Sequence, residues 1–128
     1  MGGRIVTVLY IDDDRDARYM LRELVGVAPA EECEVRWLEA DGVEEAIARH
    51  GAAQPNAVLL DNRLGTEEGV DLVARVGRIW ACPVWMLTGA ASDEFRRRAE
   101  GNGAAGVIEK DALVEGPERL RALLSRLS

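Results

Sequence analysis

Asp61 is the residue of this sequence that is best placed to do chemistry. It follows the apolar run Ala57-Val58-Leu59-Leu60 and precedes a stretch rich in glycine and polar residues. A strand that is apolar on both faces is typical of the inside of a parallel sheet covered by helices. Binding sites in such sheets lie at the carboxyl ends of the strands. Asp61 alone would be interpreted as a residue that caps the following turn, so the other strand ends decide the matter.

Four of the five strands predicted from the sequence end in a group with distinctive chemistry. Right-handed crossovers bring the carboxyl ends of parallel strands to one edge of the sheet. Taken singly, each group is explained by a helix start, a turn or a surface lysine, but their joint placement favours a site. The groups are Asp12, Asp13 and Asp14, then Asp61, Thr88 and Lys110.

These groups are chemically coherent as a site for a phosphoryl group and a metal ion. Clustered carboxylates repel one another, and a divalent cation relieves that repulsion. Ligands that are all oxygen suit Mg²⁺. A hydroxyl from Thr88 and an ammonium from Lys110 are suited to the oxygens of a transferring phosphoryl group. Asp61 is then predicted to act as a nucleophile that becomes an aspartyl phosphate.

The elements that must position these side chains alternate along the chain. Alternation of strands and helices at this spacing predicts an α/β protein with a doubly wound, five-stranded parallel sheet and five helices. The predicted strands cover residues 5–11, 35–38, 57–60, 83–87 and 105–109. The predicted helices cover residues 17–25, 41–49, 69–78, 92–101 and 117–127.

Capping residues sharpen several of these boundaries. Asp41, with Glu44 three residues later, has the form of a capping box. Ser92 is predicted to be the N-cap of its helix, and Pro117 to stand at the first helical position. Pro29 marks a loop.

Composition bounds the function classes. The 128 residues suit one domain, with 23 acidic and 16 basic residues and a net charge of −7, which argues against nucleic acid as a direct partner. No apolar run approaches the ~20 residues needed to cross a bilayer, and no signal-peptide pattern opens the chain. Cys33 and Cys82 are too few for a disulfide framework or a zinc site. We therefore expect a cytoplasmic location and no membrane insertion.

At the level of motifs, the chain resembles the CheY-like receiver domains of response regulators in two-component signalling, along nearly its whole length. The motifs are Asp12-Asp13 after the first strand, L-L-D ending at Asp61, L-T-G around Thr88, and G-A-A-G-V-I-E-K ending at Lys110. Each motif is loose alone, but their order and spacing together are specific. The resemblance implies the flavodoxin-like strand order 2-1-3-4-5.

The resemblance also implies roles for these residues. Asp61 is expected to accept a phosphoryl group from a sensor histidine kinase or phosphotransfer protein, and Thr88 and Lys110 to contact the phosphoryl oxygens. Asp13 is expected to ligate Mg²⁺ directly and Asp12 to assist, often through water. The implied Mg²⁺ ligands are Asp12, Asp13, Asp61 and the backbone carbonyl of Arg63.

The same resemblance predicts a single receiver domain over residues 1–128, with no output domain of its own and no enzymatic activity beyond its own phosphorylation and dephosphorylation. Phosphorylation is expected to switch binding of a downstream protein through the face of residues 92–127. Arg96, Arg97 and Arg98 would either contact an acidic partner there or form a solvated basic face. A homodimer, or a domain cut from a longer regulator, stays open.

Four positions depart from the usual pattern of the family. Gly65 replaces a frequent proline, and Gly89 a small alanine. Val107 stands where an aromatic residue often reports activation, so an aromatic rotamer switch is excluded at that position. Asp111 replaces the proline after Lys110, which puts the cis peptide bond of the family in doubt, since a non-proline cis bond costs ~3 kcal/mol.

Two other functions remain open at this point. One is a receiver-like interaction module that signals without phosphorylation, although the intact acidic pair, Asp61, Thr88 and Lys110 argue against it. The other is a Mg²⁺-dependent phosphohydrolase of the haloacid dehalogenase type. That family requires a second aspartate two residues after the nucleophile, and this chain has Arg63 there.

Overall fold

The computed structural model describes residues 4–27, 33–115 and 117–126. Its main sheet has five parallel strands, which are β1 (Arg4–Ile11), β2 (Cys33–Ala40), β3 (Ala57–Asp61), β4 (Val84–Thr88) and β5 (Gly106–Glu109). Their order in the sheet is β2-β1-β3-β4-β5, which confirms the predicted fold class and strand order. β2 lies at an edge and is longer than predicted.

The described ranges contain six α-helices, one more than predicted. The extra helix forms because the chain turns helical at Lys110, directly after β5, while Pro117 starts a separate helix. Proline cannot donate a helix hydrogen bond, so it is favoured in the first turn of a helix. The helices are α1 (Arg15–Val27), α2 (Val43–His50), α3 (Val73–Trp80), α4 (Asp93–Gly101), α5 (Lys110–Glu115) and α6 (Pro117–Arg126).

Three capping predictions have different outcomes. The side chain of Ser92 accepts a hydrogen bond from the Phe95 N–H at 3.0 Å, which confirms Ser92 as the N-cap of α4. Pro117 is the first residue of α6, as predicted. The capping box at Asp41 is wrong, because Gly42 is the N-cap of α2 and its first helical residue is Val43.

The acid that reaches back at the start of α2 is Glu45 rather than Glu44: Glu45 Oε1 accepts from the Asp41 N–H at 2.8 Å. The later helix start moves the reaching residue one position along the chain. Predicted positions Pro29 and Leu127 lie outside the described residues.

Between β3 and α3 the chain differs from the predicted continuous helix over 69–78. A two-stranded antiparallel hairpin pairs Arg63–Leu64 with Glu67–Glu68, and a 3₁₀ turn follows at Gly69–Leu72. The predicted inward residues nevertheless face the core, since Val70, Leu72, Val73 and Val76 are all buried. The loop after Asp61 is thus a built structure that leads into α3.

The core lies on both faces of the sheet. All five residues of β3 are buried, as expected for a central strand covered on both sides by helices. One cluster packs under α2, α3 and α4, and the other under α1, α5 and α6. None of the described helices is long and apolar enough to span a membrane.

Candidate functional site

Three carboxylates meet at the carboxyl edge of the sheet. Asp61 ends β3 and is 5% exposed, whereas Asp12 follows β1 and is 0% exposed. Asp13 is exposed, and one oxygen from each of the three side chains lies within 4.8 Å of the other two. The structure therefore brings together the acids that the sequence analysis grouped.

Lys110 is the cation of this cluster. As the first residue of α5, it directs Nζ to Asp61 Oδ1 at 2.7 Å and to Asp12 Oδ2 at 3.0 Å. Burial lowers the pKa of Lys110, but its hydrogen bonds to the two carboxylates outweigh burial and raise the pKa above its ordinary value. Lys110 is therefore a firmly protonated donor that points at Asp61.

Asp61 is held in an environment that opposes its charge. Burial raises the pKa of the Asp61 carboxyl, and the negative charge of Asp12 raises it further. The bond from Lys110 and the Arg63 N–H, which donates to Asp61 Oδ2 at 3.0 Å, act in the opposite direction. The net pKa is above the ordinary value, so the fold stabilises the ionised carboxylate less well than water does.

Asp12 is the most heavily hydrogen-bonded of the acids. Its Oδ2 accepts from the Tyr10 hydroxyl as well as from Lys110, and its Oδ1 accepts from the Asp14 N–H at 2.9 Å. The Arg18 guanidinium donates to its backbone carbonyl at 2.5 Å. The sequence analysis missed Tyr10, although strand alternation places a residue two positions before Asp12 on the same side of β1.

The hairpin after Asp61 is tied back to the acidic cluster. The Gly65 N–H donates to Asp13 Oδ2 at 2.7 Å, and Gly65 has φ +65°, a backbone conformation that favours glycine. Asn62, another residue that sequence reasoning missed, accepts from the Val70 N–H through its side chain at 3.1 Å. These bonds fix the backbone that surrounds Asp61.

Gly69 closes this loop against the backbone of Asp61. Its N–H donates to the Asn62 carbonyl at 2.6 Å. A β-carbon at this position would clash with the backbone carbonyl of Asp61, far inside van der Waals contact. Glycine is therefore required by close approach of two backbone segments.

Thr88 ends β4 and lines the same cleft as Asp13, Asp61 and Lys110. Its hydroxyl lies 3.2 Å from the Ala90 carbonyl and 3.4 Å from the Ala90 N–H. No hydrogen bond joins it to Asp61 or Lys110 among the described residues. The structure thus places Thr88 in the wall of the site, with its hydroxyl turned to its own loop.

The loop after Thr88 is anchored by a residue that the sequence analysis did not single out. Glu109 precedes Lys110, and its Oε1 accepts from the Ala91 N–H at 3.2 Å.

Gly89 is exposed, and Val107 is half-buried against the cluster under α4. The Lys110–Asp111 bond is trans, as are the other described peptide bonds.

The comparisons with known proteins identify this arrangement. The model of the family described as response regulator receiver domain matches residues 8–125. The chain belongs to this family. The receiver prediction is confirmed, and the phosphohydrolase alternative is not favoured. Receiver domains generally bind Mg²⁺ at an acidic pocket, and Asp12, Asp13 and Asp61 form such a pocket here.

Curated relatives of this receiver domain are longer proteins. It is 36% identical over 120 residues to the DNA-binding transcriptional activator DevR/DosR of Mycobacterium tuberculosis, covering 93% of the chain and 53% of that protein. It is 31% identical over 127 residues to protein-glutamate methylesterase/protein-glutamine glutaminase 2 of Anaeromyxobacter dehalogenans, covering 98% of the chain and 36% of that protein. The chain therefore spans about half or less of these relatives.

Solved structures agree with the fold. The Vibrio cholerae chemotaxis protein CheY4 superposes with a TM-score of 0.79 at 24% identity, covering 97% of this chain and 99% of that one. The response regulator domain of Thermotoga maritima CheB gives a TM-score of 0.77 at 19% identity, with 97% and 96% covered. At these identities the likeness concerns the fold alone.

Proposed function

We propose that Asp61 is the phosphoryl acceptor of this receiver domain and that a histidine kinase or phosphotransfer protein is the donor. The observation that carries the proposal is the buried Asp61 carboxylate at the end of the central strand, with Lys110 Nζ at 2.7 Å. Burial raises the pKa of Asp61, so the ionised carboxylate is poorly stabilised and suited to attack.

The chain's own residues orient this attack. The Arg63 N–H on Oδ2 and Lys110 on Oδ1 fix the carboxylate plane. One Asp61 oxygen bonds to phosphorus as the bond from phosphorus to the donor's histidine nitrogen breaks. Lys110 and Thr88 then donate to the phosphoryl oxygens, which requires the Thr88 hydroxyl to leave the Ala90 carbonyl.

The residues of the cluster fit a magnesium ion. Three carboxylates against one ammonium leave two negative charges without a partner inside the cluster, which matches a divalent cation. Asp13, Asp61 and the Arg63 carbonyl would hold Mg²⁺, with Asp12 assisting. When bound, the ion shields the negative charge between the nucleophile and the incoming phosphoryl group.

The proposal extends to partners. Apart from its own phosphorylation and dephosphorylation, the domain turns over no substrate, and it passes the signal to a downstream protein through the face of residues 92–127. Its net charge of −7 argues against direct contact with nucleic acid, and we expect it to act in the cytoplasm. A homodimer through the same face is compatible with this function.

The test is intact mass spectrometry after incubation with acetyl phosphate and Mg²⁺. Wild type should gain the mass of one phosphoryl group, and Asp61→Asn should gain none. Asp41→Asn is the matched control, since it removes an exposed acid outside the cluster. Phosphorylation of Asp61→Asn at the wild-type rate would disprove the acceptor assignment. A wild type that gains no mass would favour a module that signals without phosphorylation.

A further inference from the structure

Tyr10 is a buried polar residue directly beneath the acidic cluster. It lies on β1, two residues before Asp12, and is 0% exposed. Its hydroxyl donates to Asp12 Oδ2. Its ring packs in the cluster under α1, α5 and α6, 5.6 Å from the ring of Trp37.

Packing explains the ring of Tyr10 but not its hydroxyl. Neighbours on the same side of β1 are the apolar Val6 and Val8, and phenylalanine would fill nearly the same volume. A hydroxyl in such surroundings costs free energy unless it is hydrogen-bonded. The hydrogen bond to Asp12 offsets this cost, so any role of the hydroxyl beyond packing must act through the Asp12 carboxylate.

Counting donors shows what the hydroxyl does to Asp12. A carboxylate oxygen has two lone pairs, and those of Oδ2 accept from Tyr10 and from Lys110 at 3.0 Å. Oδ1 accepts from the Asp14 N–H at 2.9 Å, which leaves one lone pair. Each donated hydrogen bond offsets part of the negative charge that would otherwise attract a cation.

We propose that Tyr10 is a positioning residue that limits how strongly Asp12 draws a divalent cation into the acidic cluster. The inference rests on the proposed function, in which this cluster holds Mg²⁺. By occupying Oδ2, the hydroxyl holds the Asp12 carboxylate in one orientation and shares its charge with Lys110. Lys110 is thereby less tightly held by Asp12 and remains available to Asp61.

The test is calorimetric titration of the full chain with Mg²⁺, without any phosphoryl donor. Tyr10→Phe removes the hydroxyl and keeps the ring, and it should lower the Mg²⁺ Kd about threefold or more, because Asp12 loses a competing donor. Tyr19→Phe is the matched control, since it removes the other tyrosine hydroxyl of the chain from an exposed position on α1. Its Kd should equal that of wild type.

Thermal unfolding of the same variants in Mg²⁺-free buffer separates this role from a structural one. A less stable Tyr10→Phe with an unchanged or weaker Mg²⁺ affinity would show that the hydroxyl only stabilises the fold, and the proposal would be overturned. That result would leave wild-type Mg²⁺ binding and Asp61 phosphorylation intact. A wild type that binds no Mg²⁺ would instead overturn the metal part of the proposed function, and this inference with it.

Discussion

Two charged regions of this receiver domain differ in how far their charges are buried. At the carboxyl edge of the sheet, Asp12 and Asp61 are buried and share the single ammonium of Lys110. On the outer side of α4, Arg98 is exposed and contacts two acids, Glu68 at 2.8 Å and Asp71 at 2.9 Å. Each of these contacts sets two acids against one cation, but Asp12 and Asp61 are buried, so solvent screens their charges little. The groups of the second region are exposed, and solvent screens them.

Arginines of α4 also connect this helix to other elements of the fold. Arg96 donates to the Val107 carbonyl at 3.2 Å and lies 3.8 Å from Glu109, so it too is bound within the chain. The sequence suggested an acidic partner or a solvated basic face for Arg96, Arg97 and Arg98. Two of the three instead join α4 to its neighbours. Buried charge thus marks the carboxyl edge of the sheet, whereas the exposed ion pairs of α4 join elements of the fold.

The largest expected effect comes from removing the cation at the carboxyl edge of the sheet. Lys110→Met should slow phosphorylation by acetyl phosphate on the order of 100-fold, because a donor to the phosphoryl oxygens is lost. Arg97→Met, which removes an exposed cation on α4, should leave the rate unchanged. Single-turnover kinetics followed by intact mass measures both. Equal rates for wild type and Lys110→Met would remove Lys110 from the reaction.

The second largest effect concerns the backbone that frames this edge. Gly69→Ala should lower the free energy of unfolding by about 2–3 kcal/mol, since the new β-carbon clashes with the Asp61 carbonyl and the neighbouring segment must shift. Gly101→Ala is the matched control at the end of α4, where a β-carbon meets no atom within 4 Å. Urea denaturation measures both variants. A Gly69→Ala protein as stable as wild type would contradict the close approach.

Hydrophobic patterning explains how much of the fold and of the site could be predicted from the sequence. The apolar run of β3 and the acids after β1 and β3 predicted the edge, because strand ends follow directly from hydrophobic patterning. The order of the strands came from the family resemblance, since patterning leaves strand order open. The hairpin at 63–68 was missed because its strands are only two residues long and have no periodicity to detect.

The sequence could not predict which charged side chains pair with one another, for a different reason. Arg98 meets Glu68 and Asp71 across about thirty positions, and nothing local to α4 specifies that pairing. Tyr10 was the avoidable omission, because its place on β1 relative to Asp12 was predictable. Its burial, and hence its need for a partner, appeared only with the fold.

A smaller effect tests the cost of uncompensated charge. In Mg²⁺-free buffer at neutral pH, Asp61→Asn should raise the free energy of unfolding on the order of 1 kcal/mol, because it removes a poorly stabilised buried carboxylate. Asp71→Asn should not stabilise the protein, since it removes the exposed negative charge that pairs with Arg98. A destabilised Asp61→Asn would show that Lys110 fully compensates Asp61.

The pH dependence of that difference follows from the raised pKa of Asp61. Below the ordinary value of 3.8, Asp61 is protonated in both the folded and the unfolded chain, and it contributes no difference. As pH rises from there through the raised folded pKa, the unfolded chain releases its proton first, so wild type loses stability. The advantage of Asp61→Asn should therefore grow with pH and then level off. Urea denaturation of both proteins at a series of pH values from about 4 upward measures it.

The smallest effect is expected for the exposed ion pairs of Arg98. Arg98→Met leaves Glu68 and Asp71 without their shared cation, but solvent screens exposed ion pairs, so the loss of stability should be small. The loss should be local, because Arg98 joins α4 to the segment that follows the Asp61 loop. Amide hydrogen exchange at low salt should show faster exchange in residues 69–72 and in α4. At about 1 M salt, where the Debye length is ~3 Å, the variant should exchange like wild type. A difference that persists at high salt would mean that the Arg98 stem contributes packing rather than charge, and the contrast between the two regions would no longer be electrostatic.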